Sequence, residues 1–181
     1  MKAFLFLATG FEEIEATTPM DVLRRAGIDL QIISTTGKRE VVGAHNISIV
    51  SDALFEDVDL TTADVLILPG GMPGAANLNK HNALKDLNVD YNNKGKYIAA
   101  ICAAPLVFGG LGLLQGKNAI CYPGFESQLT GAIISKQTVV QDGNIITGKG
   151  PAYAMQFSLQ LVATLCGEEK EAGLRNDLLV D

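Results

Sequence analysis

Residues 97–105 read Tyr97-Ile98-Ala99-Ala100-Ile101-Cys102-Ala103-Ala104-Pro105, and this run predicts a buried strand that turns directly into a helix. An unbroken apolar stretch of this length is typical of a strand that is covered on both faces of a sheet. Small residues on both sides of Cys102 permit a sharp turn that presents the sulfur, as at a nucleophile elbow. A helix N-terminus favours negative charge, so the pattern indicates a reactive thiolate at Cys102.

The other interpretation of Cys102 is a small core residue, which its position alone fits equally well. We assign that structural role to Cys121, which lies in an apolar run, and to Cys166, which ends a helix before Gly167. A reactive role for Cys102 therefore depends on partners elsewhere in the chain.

The rest of the chain alternates short apolar runs with helical patterns. Further buried strands are predicted at Ala3–Ala8, Leu30–Ser34 and Val65–Leu68. Helices are predicted from a Thr18 cap with Pro19 at the first position to a stop at Gly27, and over Ala83–Asn92, Ala103–Leu111 and Ala152–Leu165. This alternation predicts an α/β fold with a mainly parallel sheet and helices on both faces.

Two antiparallel pairs are predicted beside that sheet. The strongest hairpin signal is Asp142-Gly143, which separates Thr138–Gln141 from Asn144–Thr147. A smaller pair joins Glu40–Val42 to Ile47–Ser51 across a glycine. No repeat, linker or low-complexity stretch divides the chain, so we predict a single domain over residues 1–181.

The composition excludes several classes of protein. Hydrophobic residues make up 48% of the 181 residues, which argues against disorder, and the net charge of −6 argues against a nucleic-acid surface. No apolar run reaches the ~20 residues of a membrane helix, and the N-terminal run suits a strand better than a signal peptide. Three cysteines without ligand spacing and two isolated histidines fit no zinc site or disulfide framework. We expect a soluble cytoplasmic protein without metal or cofactor.

Two loops are predicted to meet the cysteine. The run Val65–Leu68 leads into Pro69-Gly70-Gly71-Met72-Pro73-Gly74, and the carboxyl ends of parallel strands lie at one edge of a sheet. Gly70 and Gly71 let the backbone direct N–H groups at a developing oxyanion. Without Cys102, the sequence Pro69-Gly70-Gly71 would indicate only a turn that ends a strand. Next to Cys102, it predicts a pocket that binds an anion.

The second loop is acidic and follows the first strand as Gly10-Phe11-Glu12-Glu13-Ile14-Glu15. Two of the three glutamates are expected to complement a helix dipole. Whichever carboxyl lies near the cysteine could instead stay protonated and donate a hydrogen bond to the thiolate. A stretch that begins like a P-loop, Gly143 to Lys149, is rejected because Gly150 stands in place of the required Ser or Thr.

Five segments occur in an order that is specific as a set: Gly10-Phe11-Glu12-Glu13-Ile14-Glu15-Ala16, Asp21-Val22-Leu23-Arg24-Arg25-Ala26-Gly27, Leu68-Pro69-Gly70-Gly71, Ala99-Ala100-Ile101-Cys102-Ala103-Ala104-Pro105 and Gly148-Lys149-Gly150-Pro151. Over nearly the whole chain this set resembles the ThiJ/PfpI superfamily. Within that superfamily, which has a class I glutamine amidotransferase-like fold, it is most similar to the parkinsonism-associated protein deglycase branch.

The resemblance implies a flavodoxin-like three-layer sandwich, a homodimer and a set of site residues. It implies that Cys102 is an oxidation-sensitive nucleophile and that Glu15 is the protonated carboxyl bonded to its sulfur. It implies oxyanion and substrate contacts from the following residues: Gly70, Gly71, Ala103, Tyr122 and Pro151. Arg25 matches an arginine near the dimer interface of the family, although a solvated helix charge fits it as well.

Two residues depart from the family pattern. Peptidase-like members carry histidine directly after the cysteine, where this chain has Ala103, so a Cys-His hydrolase lacks its base. Deglycase-like members place a histidine where this chain has Tyr122, and a phenol is a poor proton shuttle at neutral pH. His45 could approach from a partner chain, but a solvated loop residue is the simpler interpretation.

Three functions follow as hypotheses. The first is a cysteine-dependent glyoxalase or deglycase that acts on α-oxoaldehydes such as methylglyoxal, or on their early glycation adducts. The second is an oxidative-stress sensor or chaperone in which Cys102 is oxidised and turnover is low. The third, a cysteine peptidase or amidase, is disfavoured by Ala103.

Overall fold

In the computed structural model of the chain, which describes residues 1–180, seven strands form one central sheet. The strands of the chain are β1 (Lys2–Leu7), β2 (Asp29–Ser34), β3 (Glu40–Val42), β4 (Ser48–Val50), β5 (Ala53–Leu54), β6 (Val65–Leu68), β7 (Tyr97–Ile101), β8 (Asn118–Ala119), β9 (Ile133–Ile134), β10 (Val139–Asp142) and β11 (Ile145–Gly148). The order in the central sheet is β10-β11-β7-β6-β1-β2-β5, and only the β10–β11 pair is antiparallel.

Six α-helices complete the layers. They are α1 (Glu13–Arg25), α2 (Gly74–Lys80), α3 (Asn82–Asn93), α4 (Pro105–Gly110), α5 (Ala154–Cys166) and α6 (Glu168–Asp177), with short 3₁₀ turns at Phe55–Asp57, Glu126–Gln128 and Pro151–Tyr153. Helix α1 packs against α5 and α5 against α6, while α2 packs against α3 and α4. The strands between the two groups are almost entirely buried, which confirms the predicted α/β sandwich with a mainly parallel sheet.

The register of the central strands brings their carboxyl ends to one edge. Leu68 at the end of β6 pairs with Ala100, and Ile101 at the end of β7 pairs with Gly148 at the end of β11. The glycine loop and Cys102 follow these strand ends directly. The sheet therefore assembles the predicted site at the edge where α/β proteins bind their ligands.

The first helix begins five residues before the predicted start at Thr18. Glu12 takes an extended backbone at its N-cap, Glu13 and Glu15 occupy the first turn, and Pro19 lies inside the helix. Acidic side chains in the first turn stabilise the positive end of a helix, which favours the earlier start. The prediction was wrong because it treated Pro19 as a first-turn residue.

The helix after Cys102 is shorter than the predicted Ala103–Leu111. The residues that follow the cysteine form a turn in which the Ala104 N–H donates to the Ile101 carbonyl at 3.1 Å. Helix α4 begins at Pro105, whose fixed φ suits a first helical position. Its N-terminus therefore lies three residues after the sulfur rather than next to it.

Other elements match or extend the predictions. The β10–β11 hairpin has the expected turn at Gly143, and the stretch rejected as a P-loop forms β11. The β3–β4 pair is antiparallel as predicted but forms its own two-stranded sheet. Helices α2 and α6 were not predicted. Within residues 1–180, no helix is long and apolar enough to cross a membrane.

Candidate active site

Cys102 occupies a strained turn at the end of β7. Its φ is +65°, in the left-handed region that residues with a Cβ rarely adopt. Two backbone hydrogen bonds hold this turn: the Cys102 N–H donates to the Gly148 carbonyl at 2.9 Å, and the Cys102 carbonyl accepts from the Tyr122 N–H at 2.8 Å. Neighbouring elements thus maintain a conformation that presents the side chain, as the elbow interpretation requires. The side chain is only 8% exposed, less than we expected of a reactive thiol.

Glu15 lies against this thiol and is completely buried. Its Oε2 accepts the Gly70 N–H at 2.9 Å. Its Oε1 accepts no hydrogen bond from any N–H or O–H group among residues 1–180. A buried carboxylate oxygen without a donor is costly, whereas a protonated oxygen needs only an acceptor. The geometry therefore favours a proton on Oε1.

The titration of the two groups follows from burial and mutual repulsion. Burial raises the pKa of Glu15 to about 7, although hydrogen bonds from Cys102 and the Gly70 N–H lower it. Burial and the negative charge of Glu15 raise the pKa of the Cys102 thiol to about 12. These values belong to the pair, which releases its first proton near pH 7 and holds the second far into the alkaline range. Between those limits the pair carries one negative charge.

Backbone N–H groups determine where that single charge is stabilised. The N–H groups of Gly71 and Ala103 donate toward Cys102 and lower the pKa of its thiol. They favour the tautomer with the negative charge on the sulfur and the proton on the Glu15 carboxyl. This tautomer is a nucleophilic thiolate that coexists with a neutral acid.

The glycine loop fits between the two acids only because it lacks side chains. A Cβ at Gly70 would lie 2.6 Å from Glu15 Oε2, 2.7 Å from Cys102 Cβ and 2.8 Å from the Ile101 carbonyl oxygen. Gly71 has a φ of +86°, and a Cβ there would collide with the backbone of residues 10–12. Both positions therefore require glycine.

Gly70→Ala is therefore expected to separate the carboxyl from the sulfur. Overpacking of this kind lowers the free energy of unfolding by about 1–3 kcal/mol. The matched control is Gly173→Ala in α6, where an added Cβ meets nothing within 4 Å and where stability is expected to stay equal or rise. Urea unfolding of the three proteins measures the difference. Equal unfolding free energies for Gly70→Ala and the wild type would contradict the described packing.

A cleft of about 240 Å³ opens above the sulfur. Its lining includes five residues predicted from the sequence (Cys102, Gly71, Ala103, Tyr122 and Pro151), together with Glu12, Met72 and Phe125. Gly70 and Glu15 lie behind the sulfur and do not line the cleft. Met72 and Phe125 were missed because nothing in an isolated Met or Phe indicates a pocket. Glu12 belonged to the acidic motif but was assigned to the helix dipole.

A second polar cluster lies beside the cleft and corrects the interpretation of His45 as a merely solvated residue. Its side chain is 68% exposed, but its Nδ1 lies 2.8 Å from Oε2 of the buried Glu13 and 3.5 Å from Glu12 Oε2. Burial raises the pKa of Glu13, but hydrogen bonds from the His45 ring and backbone outweigh this and lower it. The same contact raises the pKa of His45. The cluster is an ion pair that fastens the β3–β4 hairpin to α1.

Glu12, Glu13 and His45 are also the one group among residues 1–180 that could hold a metal ion. Their carboxylate oxygens and imidazole nitrogen all lie within 4.8 Å of one another. However, Glu13 already accepts hydrogen bonds from His45 and from the Ile47 N–H. The positive end of α1 also opposes a cation there. We therefore describe the group as an ion pair and assign no metal to it.

The remaining candidates lie away from the sulfur. Arg25 is half exposed and forms an ion pair with Asp21 at 2.7 Å, outside the cleft. Cys121 is buried, as a structural cysteine should be, whereas Cys166 is exposed at the end of α5. Neither cysteine lines the cleft.

Comparison with known proteins gives a consistent assignment. The model of the DJ-1/PfpI family matches residues 1–164. Protein dj-1beta of Drosophila melanogaster is 37% identical over 98% of this chain and 96% of its own length, and the Parkinson disease protein 7 homolog of Danio rerio is 34% identical over 99% and 97%. Protein DJ-1 homolog B of Arabidopsis thaliana is 38% identical over 99% of this chain, which spans only 41% of that longer protein.

Solved structures agree with this assignment. The crystal structure of Drosophila melanogaster DJ-1beta superposes with a TM-score of 0.94 at 36% identity, covering 99% of this chain and 98% of the other. Oxidized Toxoplasma gondii DJ-1 also gives a TM-score of 0.94, at 35% identity over 98% and 97%. The resemblance stated from the motifs is confirmed, and the chain belongs to the DJ-1/PfpI family.

Proposed function

We propose that this protein is a cytoplasmic, cysteine-dependent glyoxalase or deglycase that acts on α-oxoaldehydes such as methylglyoxal, or on their early glycation adducts. The observation that carries the proposal is Cys102 in the wall of a small cleft, with the buried Glu15 directly behind its sulfur. One proton shared by these two acids leaves a nucleophile and a proton donor available in the same site at neutral pH.

In the first step, the Cys102 thiolate attacks the aldehyde carbon and forms a hemithioacetal. The C–S bond forms as the carbonyl π electrons move to oxygen. The oxyanion lies within reach of the Gly71 and Ala103 N–H groups and takes the proton from the Glu15 carboxyl. Fixed backbone donors stabilise this developing charge without reorganisation.

The second step moves a proton between two carbon atoms. The Glu15 carboxylate formed in the first step removes the hydrogen on the former aldehyde carbon, and the resulting enediol is reprotonated at the neighbouring carbon. The former aldehyde carbon is thereby oxidised and the former ketone carbon reduced, so no external oxidant is needed. The product is a lactoyl thioester of Cys102, which water hydrolyses to lactate with return of the thiol.

Tyr122 limits this chemistry because a phenol exchanges protons slowly near neutral pH. It lines the cleft and is 46% exposed. Tyr122→His is expected to raise kcat for methylglyoxal several-fold. This gain is below the full contribution of a well-positioned proton donor or acceptor, which is about 10²-fold or more. Tyr122→Phe serves as the control and is expected to show no gain. If the histidine variant is no faster than the phenylalanine variant, Tyr122 does not limit turnover.

A second candidate function, an oxidative-stress sensor, is favoured by the same N–H groups. Peroxide oxidises a thiolate by transferring one oxygen to sulfur with release of hydroxide, and a second equivalent gives the sulfinate. We expect the Glu15 carboxyl and the Gly71 and Ala103 N–H groups to hydrogen-bond these oxygens. Intact-protein and peptide mass after mild peroxide treatment tests this role. Oxygen found on Cys166 but not on Cys102 would exclude it.

We further propose that the protein acts as a homodimer, because α1 and the β3–β4 hairpin that contacts it both carry exposed apolar side chains. These are Ile14 on α1 and Val42, Ile47 and Val50 on the β3–β4 hairpin. Light scattering after size exclusion is expected to give the mass of a dimer for the wild type and of a monomer for Val50→Asp. A wild-type monomer at micromolar concentration would exclude the dimer.

The test of the proposed enzyme is lactate released from methylglyoxal by purified wild-type protein, together with the mass of the peptide that contains Cys102. Lactate formation and a lactoyl adduct on Cys102 support the proposal. Absence of lactate while the thiol remains intact would refute it and leave the sensor role. A peptide or amide screen is expected to be negative because Ala103 provides no base.

A further inference from the structure

A second hollow, of about 190 Å³, lies next to the Cys102 cleft. The 3₁₀ turn at Pro151–Tyr153 forms one side, and Tyr122 and Pro123 form the other. Its walls consist mainly of rings and small apolar groups, so a polar ligand would find few partners there. Apolar surface that is open to solvent in this way favours an apolar occupant.

The hollow adjoins the reactive cleft, because Tyr122 and Pro151 line both spaces. The Tyr122 ring packs against the backbone of Gly150, where an added Cβ would lie 3.1 Å from Tyr122 Cδ2. This contact places the ring at the border between the two spaces. A substrate that is bonded to Cys102 can therefore extend a substituent past Tyr122 and Pro151 into the hollow.

The size and chemistry of the hollow indicate which substituent fits. An apolar cavity of about 150 Å³ is sufficient to bind benzene. A hollow of about 190 Å³ with tyrosine rings on two sides accommodates one aromatic ring, and such rings gain energy by edge-to-face or offset contacts. The methyl group of methylglyoxal would leave most of this space unfilled.

We propose that this hollow, lined by Tyr122, Pro123, Ala152 and Tyr153 with Pro151 at its entrance, is a substrate subsite that selects α-oxoaldehydes with an aromatic substituent. The inference rests on the proposed aldehyde function and adds a substrate class to it. With phenylglyoxal the same steps give a mandeloyl thioester on Cys102 and then mandelate.

The test compares kcat/KM for phenylglyoxal and methylglyoxal in the wild type and in Ala152→Trp, which fills the hollow from an exposed position. The wild type is expected to prefer phenylglyoxal by about tenfold or more, within the range that apolar pockets supply. Ala152→Trp is expected to remove this preference by lowering kcat/KM for phenylglyoxal about tenfold more than kcat/KM for methylglyoxal. Ala152→Leu is expected to give an intermediate loss.

The control is Ala172→Trp, which adds the same bulk to an exposed position on α6 and is expected to leave both rates unchanged. An equal preference for the two aldehydes in the wild type, or an equal loss of both rates in Ala152→Trp, would overturn the subsite while the aldehyde function stands. Absence of product from both aldehydes in the wild type would overturn the proposed function and the subsite with it.

Discussion

Cys102→Ser is expected to abolish lactate formation from methylglyoxal, with kcat/KM reduced by about 10⁴-fold or more. The hydroxyl of serine has a pKa far above that of a thiol, and no histidine lines the cleft to deprotonate it. The substitution replaces one atom in a turn held by backbone hydrogen bonds, so the fold is expected to persist. Coupled-enzyme detection of lactate measures the effect.

The other two cysteines supply matched controls. Cys121 is buried beside the cleft and Cys166 is exposed on α5, so together they sample both environments. Cys121→Ser and Cys166→Ser are expected to retain kcat/KM within a few-fold of the wild type. Loss of activity in Cys166→Ser, with full activity in Cys102→Ser, would place the reacting thiol elsewhere.

Glu15→Gln is expected to lower kcat/KM by about 10²–10⁴-fold, the usual contribution of a positioned acid or base. An amide can still accept the Gly70 N–H and occupy the same volume. It cannot release a proton to the hemithioacetal oxygen or remove the proton from carbon. The deficit is therefore expected in kcat more than in KM.

The same substitution is expected to stabilise the fold above neutral pH. Burial raises the pKa of Glu15 from 4.5 to about 7, so the pair of Glu15 and Cys102 favours folding while it holds both protons. That contribution is complete below pH 4.5 and is lost as the pH rises through about 7. The difference corresponds to on the order of 3 kcal/mol. Urea unfolding at pH 8 is expected to show Glu15→Gln more stable than the wild type, whereas a purely structural role for Glu15 predicts the reverse.

Much of the fold follows from local patterns in the sequence. The runs at β6 and β7, and at β1 after Lys2, are apolar without interruption, and a sheet covered on both faces accommodates such strands. The β10–β11 hairpin follows from Asp142-Gly143, where glycine adopts the positive φ that the turn requires. Helix α6 escaped prediction because it is polar, with one buried leucine, and depends on packing against α5.

The site was predictable only in part. Cys102 and Gly71 follow strand ends, so their proximity follows from the topology of a parallel sheet. The contact of Glu13 with His45 does not, because 32 residues separate them and the hairpin that carries His45 has no fixed position in the sequence pattern. Phe125 enters the cleft from an irregular segment, and no periodicity indicates where such a segment lies.

The measurement that tests the central claim most directly is the rate of Cys102 alkylation by iodoacetamide as a function of pH, in the wild type and in Glu15→Gln. Both proteins also carry Cys121→Ser and Cys166→Ser, so that the measured alkylation is that of Cys102. If the pair shares one proton with charge on the sulfur, the wild-type rate rises with a midpoint near pH 7, and Glu15→Gln loses that midpoint. A wild-type midpoint near pH 12, or the same midpoint in both proteins, would contradict this account. Either result would show that Glu15 does not hold the proton that would otherwise be on the Cys102 sulfur.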